Sequence, residues 1–176
     1  YATICASNMN RSMEAHNVLF NNDFQVASFG TGNQVRLPGP NPEKPNVYAF
    51  GTPYDQIYNE LAEKDLSLYS QNGVLQMLNR NRKIKEHPMK FQGTEEEFDL
   101  IITCEEKCFD AVCEEFASRA ASKLSNRIVH VVNFEIKDNH EDACVGAQEI
   151  LKLTQKLEKV NDLHAELEEI LEEFQS

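Results

Sequence analysis

Residues 1–12 read Tyr-Ala-Thr-Ile-Cys-Ala-Ser-Asn-Met-Asn-Arg-Ser. The apolar start, Tyr1 to Ile4, predicts the end of a β-strand, and Ser12 to Phe20, with one apolar side, predicts a helix. Cys5 would then stand at the carboxyl end of a strand, where open α/β sheets bind their ligands. The polar loop from Cys5 to Arg11 would close onto the start of the helix. This pattern predicts an anion-binding loop that carries a cysteine.

The residue types in this loop suit the chemistry of a phosphate ester. Successive backbone N–H groups can form an anion-binding nest, and a helix N-terminus adds partial positive charge. Arg11 can grip two phosphate oxygens, and the same field favours a nucleophilic thiolate at Cys5. Ser12 can donate a hydrogen bond to that thiolate, and Asn8 suits a position with positive φ. The phosphate-binding backbone would comprise Ala6, Ser7, Asn8, Met9 and Asn10. The alternative is a buried structural cysteine followed by an ordinary polar turn.

The rest of the chain alternates strand and helix patterns. Phe24–Phe29 alternates as a strand and ends at Gly30, which gives a βαβ unit with the first strand and helix. Further strands are predicted at Phe98–Cys104 and Ile128–Asn133, both as buried strands, and further helices at Glu105–Ala117 and Ala143–Phe174, the last broken near Asn161. This order predicts an α/β fold with a mainly parallel central sheet and helices on both faces.

Two segments interrupt the alternation. Gly30 to Pro45 contains four prolines and is predicted to lack regular structure. Helices at Pro53–Lys64 and Leu66–Asn79 look like an inserted pair, at about residues 53–80, packed beside the sheet. Glu135 to Asp142 is predicted to be a polar loop. We expect one phosphatase domain over residues 1–176.

Composition narrows the classes of function. The 176 residues carry a formal net charge of −12, which argues against broad binding to nucleic acid. No apolar run suggests a membrane span, and Tyr1 to Ile4 lacks the features of a signal peptide. The five cysteines form an odd set with no zinc-site spacing, so we expect reduced thiols and no metal or other cofactor. A basic cluster, Arg80, Arg82, Lys83 and Lys85, is expected to be a solvated helix end.

A cysteine and an arginine in a C-x5-R-S arrangement directly after the first strand resemble the low-molecular-weight protein tyrosine phosphatase fold. The wider sequence resembles one family on that fold, the Ssu-type phosphatases of the RNA polymerase II carboxy-terminal domain. The matching motifs run in order along nearly the whole chain and comprise residues 5–16, 28–32, 37–40, 44–48, 103–106, 129–133 and 138–141.

This resemblance implies a role for individual residues. Cys5 would be the nucleophile that forms a cysteinyl-phosphate, and Arg11 would bind the phosphoryl oxygens. Asp138, here followed by Asn139 rather than proline, would be the general acid. A groove for an extended peptide is expected to involve Met9, Leu37, Pro38 and Gly39, with Tyr69 and Met77 as further walls.

The resemblance also implies a substrate, partners and a location. The substrate would be the heptad peptide of the polymerase tail, dephosphorylated at the serine that precedes its second proline, with the serine–proline bond in the cis form. The expected scaffold partner is symplekin, within the cleavage and polyadenylation assembly of mRNA 3′-end processing. We expect a nuclear protein, with the cytoplasm as a further location, and no direct contact with nucleic acid or membrane.

Two departures from the family pattern, Ala6 in place of serine and Glu135 in place of aspartate, indicate a divergent copy. Two alternatives stay open. One is an arsenate reductase-like thiol enzyme, which would need further grouped cysteines. The other is a non-catalytic adaptor of the processing complex. The argument against this adaptor is the presence of Cys5, Arg11, Ser12 and Asp138.

Other polar candidates are expected to have supporting roles. His16 is expected to pack or hydrogen-bond rather than to catalyse, and Asp99 to be structural. His140 either orients Asp138 or is simply exposed. Cys104 is expected to be a buried inert thiol, with oxidation onto Cys5 as the alternative.

Overall fold

A computed structural model describes residues 1–122 and 127–176. Its central sheet has four parallel strands, in the spatial order second, first, fifth and sixth strand of the chain. Helices cover both faces of this sheet, which confirms the predicted fold class. The strands are β1 (Ala2–Cys5), β2 (Ala27–Gly30), β5 (Leu100–Thr103) and β6 (His130–Asn133), and a separate antiparallel pair is formed by β3 (Val35–Leu37) and β4 (Asn46–Tyr48). The helices are α1 (Arg11–Asn21), α2 (Tyr54–Gln71), α3 (Val74–Ile84), α4 (Glu106–Ser122), α5 (His140–Leu157) and α6 (Leu163–Gln175).

Each face of the sheet has its own apolar core because successive side chains of a strand point to opposite sides. Leu100 and Ile102 pack with residues of α1, α5 and α6 on one face. Ile4 and Ile101 pack with Phe91 and residues of α4 on the other. The inner strand β1 is fully buried along its length, so its last residue, Cys5, is held firmly at the carboxyl edge of the sheet.

The segment predicted to lack regular structure contains a strand. Val35 and Leu37 are buried while Arg36 is exposed, an alternation that suits β3 in its antiparallel pairing with β4. The prolines that motivated the prediction fall after Leu37, in the turn of this hairpin. The prediction of an irregular stretch is therefore wrong for Val35–Leu37.

The inserted helices are divided differently from the prediction. The backbone of Asp65 is non-helical, which kinks α2 at the predicted boundary, but α2 continues to Gln71. The true break is at Gly73, whose φ of 82° is a conformation that glycine adopts without strain. The helix α3 then extends to Ile84, beyond the predicted end at Asn79. This pair packs with β3 and with Met9 and Met13 in a third apolar cluster.

Several boundaries also move. The pairing of β2 begins at Ala27, because Phe24 and Val26 pack outside the ladder, and α4 continues beyond Ala117 to Ser122. The last strand, β6, lies at a sheet edge and is only partly buried. Helix α5 starts within the predicted polar loop, at His140, where Asn139 accepts a capping hydrogen bond from the Asp142 N–H. The predicted break near Asn161 is confirmed between α5 and α6. In the described ranges, no helix has the length and apolar character that crossing a membrane requires.

Candidate active site

The loop between β1 and α1 is shaped by one residue with positive φ and by an uncapped helix. Asn8 has a φ of 55°, as its residue type predicted. Asn10 precedes α1 without making a side-chain cap, so the first N–H groups of the helix keep their donors for a ligand. Cys5 ends β1, is only 2% exposed and lines the cavity described below.

The carbonyl oxygens of this loop are held by the inserted helices. The Tyr54 hydroxyl donates to the Asn8 carbonyl at 2.7 Å. The Asn81 amide and the Arg80 guanidinium each donate to the Met9 carbonyl at 2.8 Å. The inserted helices therefore occupy the carbonyl oxygens of the loop on one side. The backbone N–H groups of the loop are left to bind a ligand on the opposite side, which is the arrangement of an anion-binding nest.

Beside the loop, side chains form a continuous hydrogen-bonded chain behind the thiol. Cys5 Sγ lies 3.0 Å from Ser12 Oγ. The Asn8 Nδ2 donates to the same Ser12 oxygen at 2.9 Å, and Lys85 Nζ donates to Asn8 Oδ1 at 2.7 Å. Ser12 and Asn8 are fully buried. The nucleophile candidate is thus supported from behind by three polar side chains.

This arrangement corrects the expectation for the basic cluster. Arg82 and Lys83 are exposed, but Arg80 pairs with Glu14 at 2.6 Å and Lys85 reaches the loop. Burial lowers the pKa of Lys85 to about 7, although the nearby Cys5 and Glu96 act in the opposite direction. The prediction of a solvated helix end is wrong for Arg80 and Lys85, because α3 ends against the back of the loop.

Arg11 is buried beside the thiol and has one unsatisfied nitrogen. Its Nη1 donates to the Ile136 carbonyl at 3.1 Å, and its Nη2 pairs with Glu105 at 3.4 Å. Burial opposes a charge on Arg11, but the neighbouring Cys5, Asp138 and Glu105 together raise its pKa above the ordinary value. Nε is buried without a hydrogen-bond partner in the described structure. An N–H donor that is buried without an acceptor costs free energy of folding. An anionic oxygen of a ligand would supply the missing acceptor.

Asp138 faces the loop from the segment that leads into α5. Its Oδ1 accepts a hydrogen bond from Asn10 at 3.0 Å and lies 3.7 Å from Arg11 Nε. The side chain is 65% exposed, so a water molecule or a leaving group can approach it. The carboxylate and the thiol therefore border the same cavity, as their predicted roles require.

This cavity has a volume of about 400 Å³. Most of the residues predicted for the groove and loop line it, namely Cys5, Ser7, Met9, Asn10, Arg11, Leu37, Pro38, Met77 and Asp138. Arg36 and the Glu14–Arg80 pair, which the sequence patterns did not assign to it, line it as well.

Five predicted residues do not line the cavity: Ser12, which is buried behind the thiol, and four others. Tyr69 is 1% exposed and its hydroxyl accepts a hydrogen bond from Asn46, so its expected position as a groove wall is corrected to the core. Gly39 does not line the cavity either; a Cβ there would collide with the Lys44 carbonyl, which explains the glycine. Asn8 is behind the loop, and the Ala6 carbonyl accepts from the Gly32 N–H at 2.9 Å, which anchors the loop to the end of β2.

The structure also locates the polar residues that were expected to have supporting roles. His16 is buried and its Nδ1 lies 2.7 Å from Ser28 Oγ, which agrees with a hydrogen-bonding role. His140 is exposed at the cavity rim. Cys104 is fully buried, and burial raises the pKa of its thiol well above the ordinary value. Asp99 pairs with Arg127 at the other end of β5. All five cysteines are free.

Sequence reasoning missed Glu105, Lys85, Tyr54 and Asn81. Glu105 follows β5 at the carboxyl edge of the sheet, so the strand-end rule that selected Cys5 also indicates this residue. The other three act on the loop from the inserted helices, and no local motif marks such long-range contacts. Among the described residues, no group of three or more His, Cys, Asp or Glu side chains is arranged to hold a metal ion.

Known proteins are similar to this sequence over nearly its whole length. Residues 1–176 match the model of a family described as Ssu72-like protein. The human RNA polymerase II C-terminal domain phosphatase SSU72 is 52% identical over 174 residues, which cover 99% of this chain and 89% of the human protein. The Schizosaccharomyces pombe phosphatase of the same name is 53% identical over 176 residues, covering 99% of this chain and 88% of the relative.

Two solved structures superpose closely on this chain. The Drosophila melanogaster serine phosphatase of the RNA polymerase II C-terminal domain superposes with a TM-score of 0.95 at 48% identity, covering 98% of this chain and 90% of that one. A complex of D. melanogaster Ssu72 and symplekin, bound to a cis peptidomimetic phosphoserine peptide of that domain, superposes with a TM-score of 0.90 at 45% identity, covering 98% and 89% of the two chains.

Proposed function

This chain belongs to the Ssu72-like protein family, and from that membership we propose that it is a cysteine-dependent phosphatase of the RNA polymerase II C-terminal domain. The observation that carries the chemistry is the position of Cys5. Its sulfur lies 3.0 Å from Ser12 Oγ, at the carboxyl end of β1, in the cavity that also holds Arg11 and Asp138.

In the first proposed step the Cys5 thiolate attacks the phosphorus atom of a phosphoserine. The S–P bond forms while the bond from phosphorus to the serine oxygen breaks, and Asp138 gives its proton to that oxygen. Arg11, the loop N–H groups and the N-terminus of α1 stabilise the negative charge on the phosphoryl oxygens. The Nε of Arg11, which has no hydrogen-bond partner among the described residues, is a donor available for this task.

In the second step water hydrolyses the cysteinyl-phosphate. The Asp138 carboxylate takes a proton from the water as its oxygen attacks phosphorus, and the S–P bond breaks. Inorganic phosphate leaves, and Cys5 returns to the thiolate form. One carboxyl group serves as acid and then as base, as general acid–base catalysis by a single side chain requires.

The relatives supply the substrate and the partner. A Drosophila structure holds Ssu72 with symplekin and a phosphoserine peptide of the polymerase tail, so we assign the same substrate class and scaffold to this chain. The phosphoserine–proline sites of the heptad would be the target, in transcription and mRNA 3′-end processing. Action on the polymerase implies a nuclear role.

The arsenate reductase alternative finds little support in the positions of the thiols. That chemistry needs a second thiol that can attack an intermediate on the first. Cys104 is fully buried and burial raises its pKa, which keeps it protonated and unreactive. Thiol-dependent turnover of arsenate would favour this alternative.

The direct test compares heptad phosphopeptides that carry phosphate at different serines, with and without symplekin. We expect turnover to be greatest for the serine before the second proline and to increase with symplekin. Cys5→Ser should abolish turnover while retaining the fold, because a neutral hydroxyl is a poor nucleophile without its own base. A Cys5→Ser protein that still hydrolyses the peptide would refute the thiolate mechanism. An inactive but symplekin-binding wild-type protein would indicate the adaptor alternative.

A further inference from the structure

Lys85 caps the C-terminus of α3, and its side chain turns back toward the loop from Cys5 to Arg11, called the phosphate loop below. Its backbone N–H closes the last turn of the helix on the Asn81 carbonyl at 3.1 Å, and its backbone then becomes extended. Its Nζ donates to Asn8 Oδ1 and to the Ser28 carbonyl, both at 2.7 Å. Two short hydrogen bonds therefore hold the Lys85 side chain against the loop, whereas an ordinary surface lysine extends its charge into solvent.

These contacts fix the orientation of the Asn8 amide. Its Oδ1 is approached by Lys85 Nζ and by the backbone N–H of Met89 at 3.0 Å. A backbone N–H can only donate, and so can the charged form of Lys85, so the atom between them must be the amide oxygen. The Asn8 Nδ2 is therefore the atom that faces Ser12, and it must donate.

The direction of the next hydrogen bond follows from the first. Ser12 Oγ accepts from Asn8 Nδ2 at 2.9 Å, which leaves its own O–H proton free to point elsewhere. Cys5 Sγ lies 3.0 Å from that oxygen. When Cys5 is a thiolate it can only accept, so the chain of donors runs from Lys85 through Asn8 and Ser12 to the sulfur.

On the premise that this chain is a cysteine-dependent phosphatase, we propose that Lys85 is a positioning residue of the reaction. It orients the Asn8 amide so that Ser12 donates to the Cys5 thiolate, and its positive charge favours that thiolate. Lys85 contacts neither sulfur nor substrate; it acts through Asn8 and Ser12.

The surroundings of Lys85 support an electrostatic role. Burial lowers the pKa of Lys85 to about 7, while Cys5 and Glu96 favour its charged form. The charge of Lys85 in turn helps to lower the pKa of His16. The groups that interact with Lys85 are thus Asn8 and Cys5 from the loop, Ser28 from β2, His16 from α1 and Glu96 from the segment before β5. A half-buried lysine with a perturbed pKa beside a reactive group is the pattern found at functional sites.

The test measures the nucleophile directly. The rate of alkylation of Cys5 by iodoacetamide is followed between pH 4 and 9, with the labelled peptide resolved by mass spectrometry. The variants are Lys85→Met, which removes donor and charge, and Lys85→Gln, which retains a donor for Asn8 and removes only the charge. Lys83→Met is the matched control, since it removes the same charge from an exposed neighbour. Hydrolysis of p-nitrophenyl phosphate is measured in parallel.

We expect the midpoint of the alkylation profile to rise by about one pH unit in Lys85→Met, less in Lys85→Gln, and not at all in Lys83→Met. At a pH below that midpoint, kcat/KM should fall about tenfold in Lys85→Met, because one pH unit is a tenfold change in thiolate fraction. A purely structural role would reduce the amount of folded protein without moving the midpoint. A wild-type midpoint in Lys85→Gln, or in a folded Lys85→Met protein, would overturn the proposal. Since alkylation needs no phosphate ester, failure of the proposed function would appear separately, as a reactive Cys5 without turnover.

Discussion

At the scale of the residue, the proposed general acid, Asp138, is the group whose contribution should depend most on the leaving group. Asp138→Asn keeps a side chain of the same shape but cannot transfer a proton to the serine oxygen. Turnover of a heptad phosphoserine peptide should fall by about 10²–10⁴-fold. The loss should be smaller with p-nitrophenyl phosphate, because that leaving group departs with little protonation. Steady-state kcat for both substrates measures the difference.

Glu141→Gln is a suitable control for this substitution. Glu141 is exposed, three residues further along the chain, and does not line the cavity. Removing its charge should leave both rates close to those of the wild type. Equal losses on the two substrates in Asp138→Asn would exclude Asp138 as the general acid.

His16 predicts a pH dependence of stability. Burial, with a contribution from Lys85, lowers the pKa of His16 from 6.5 to about 4 in the folded protein. Between these pH values the unfolded chain binds a proton at His16 and the folded chain does not, so stability falls as pH falls. The total effect is roughly 3 kcal/mol of unfolding free energy. Above pH 6.5 His16 is neutral in both states and contributes no pH dependence.

Urea unfolding of wild type and His16→Asn at several pH values between 7 and 4 measures this effect. The variant should lose less stability on acidification, by up to roughly 3 kcal/mol, because it has no group to protonate at this site. His164→Asn, at an exposed position, should behave as the wild type does. Parallel pH profiles for wild type and His16→Asn would contradict the prediction.

The residues of the site differ in how far sequence could identify them. Cys5, Arg11 and Ser12 are predictable because they share one loop, where spacing and strand-end position carry the chemistry. The prediction of Asp138 depended on family resemblance, because this residue is 128 residues along the chain from its hydrogen-bond partner Asn10. Lys85 was misassigned because a charge run reads as a solvated surface unless the fold places it against a buried loop.

At the scale of the element, the helical pair α2–α3 holds the phosphate loop as well as lining the cavity. Tyr54 donates from α2 to the Asn8 carbonyl, and Asn81 donates from α3 to the Met9 carbonyl. Tyr54→Phe removes one of these donors and leaves a buried carbonyl unpaired, at a cost of about 1–3 kcal/mol. We expect lower stability together with a fall of about tenfold or more in kcat/KM and weaker inhibition by vanadate, which mimics the transferring phosphoryl group.

Tyr69→Phe provides the matched control for the helical pair. Tyr69 belongs to the same apolar cluster and is equally buried, but its hydroxyl bonds to Asn46 instead of to the loop. This variant should lose stability while the folded fraction keeps its activity and vanadate affinity. If both substitutions reduce activity only in proportion to stability, the helices do not position the loop.

Elements were predictable where periodicity and packing agree. The central strands are apolar runs and the helices carry apolar stripes, so local pattern and burial point the same way. The strand β3 was missed because only three residues pair, and the prolines that follow Leu37 dominate the local signal. The end of α2 was missed because the helical pattern continues past Asn72, whereas Gly73 ends it through backbone conformation.

At the scale of the whole molecule, the cavity is assembled from four distant segments. The phosphate loop, the β3–β4 hairpin, the start of α3 and the entry to α5 each supply part of its lining. Its volume of about 400 Å³ is bordered by Cys5 of the loop and by Pro38 at the start of the proline-rich hairpin turn. A related Drosophila protein has been solved with a cis peptidomimetic phosphoserine peptide of the polymerase tail. We therefore expect this enzyme to select the cis form of the phosphoserine–proline bond.

Selection of the cis form has a kinetic signature. In a free peptide about 10–30% of such bonds are cis, and exchange takes tens of seconds or more. With excess enzyme, that fraction should be consumed in a fast phase, and the remainder should follow at the isomerisation rate. A prolyl isomerase should accelerate only the slow phase. Equal turnover of cis-locked and trans-locked analogues would contradict the expectation.

The strand order also has a consequence for biosynthesis. The inner strand β1 pairs with β2, which follows closely in the chain, and with β5, which is translated much later. On the ribosome, β1 has one unpaired edge until Leu100–Thr103 has emerged, and Cys5 has no acid opposite it until Asp138 has followed. An incomplete nascent chain therefore carries an open strand edge, which invites aggregation, and a thiol without its proposed general acid. Premature termination anywhere before Asp138 should yield a chaperone client rather than a weakened enzyme.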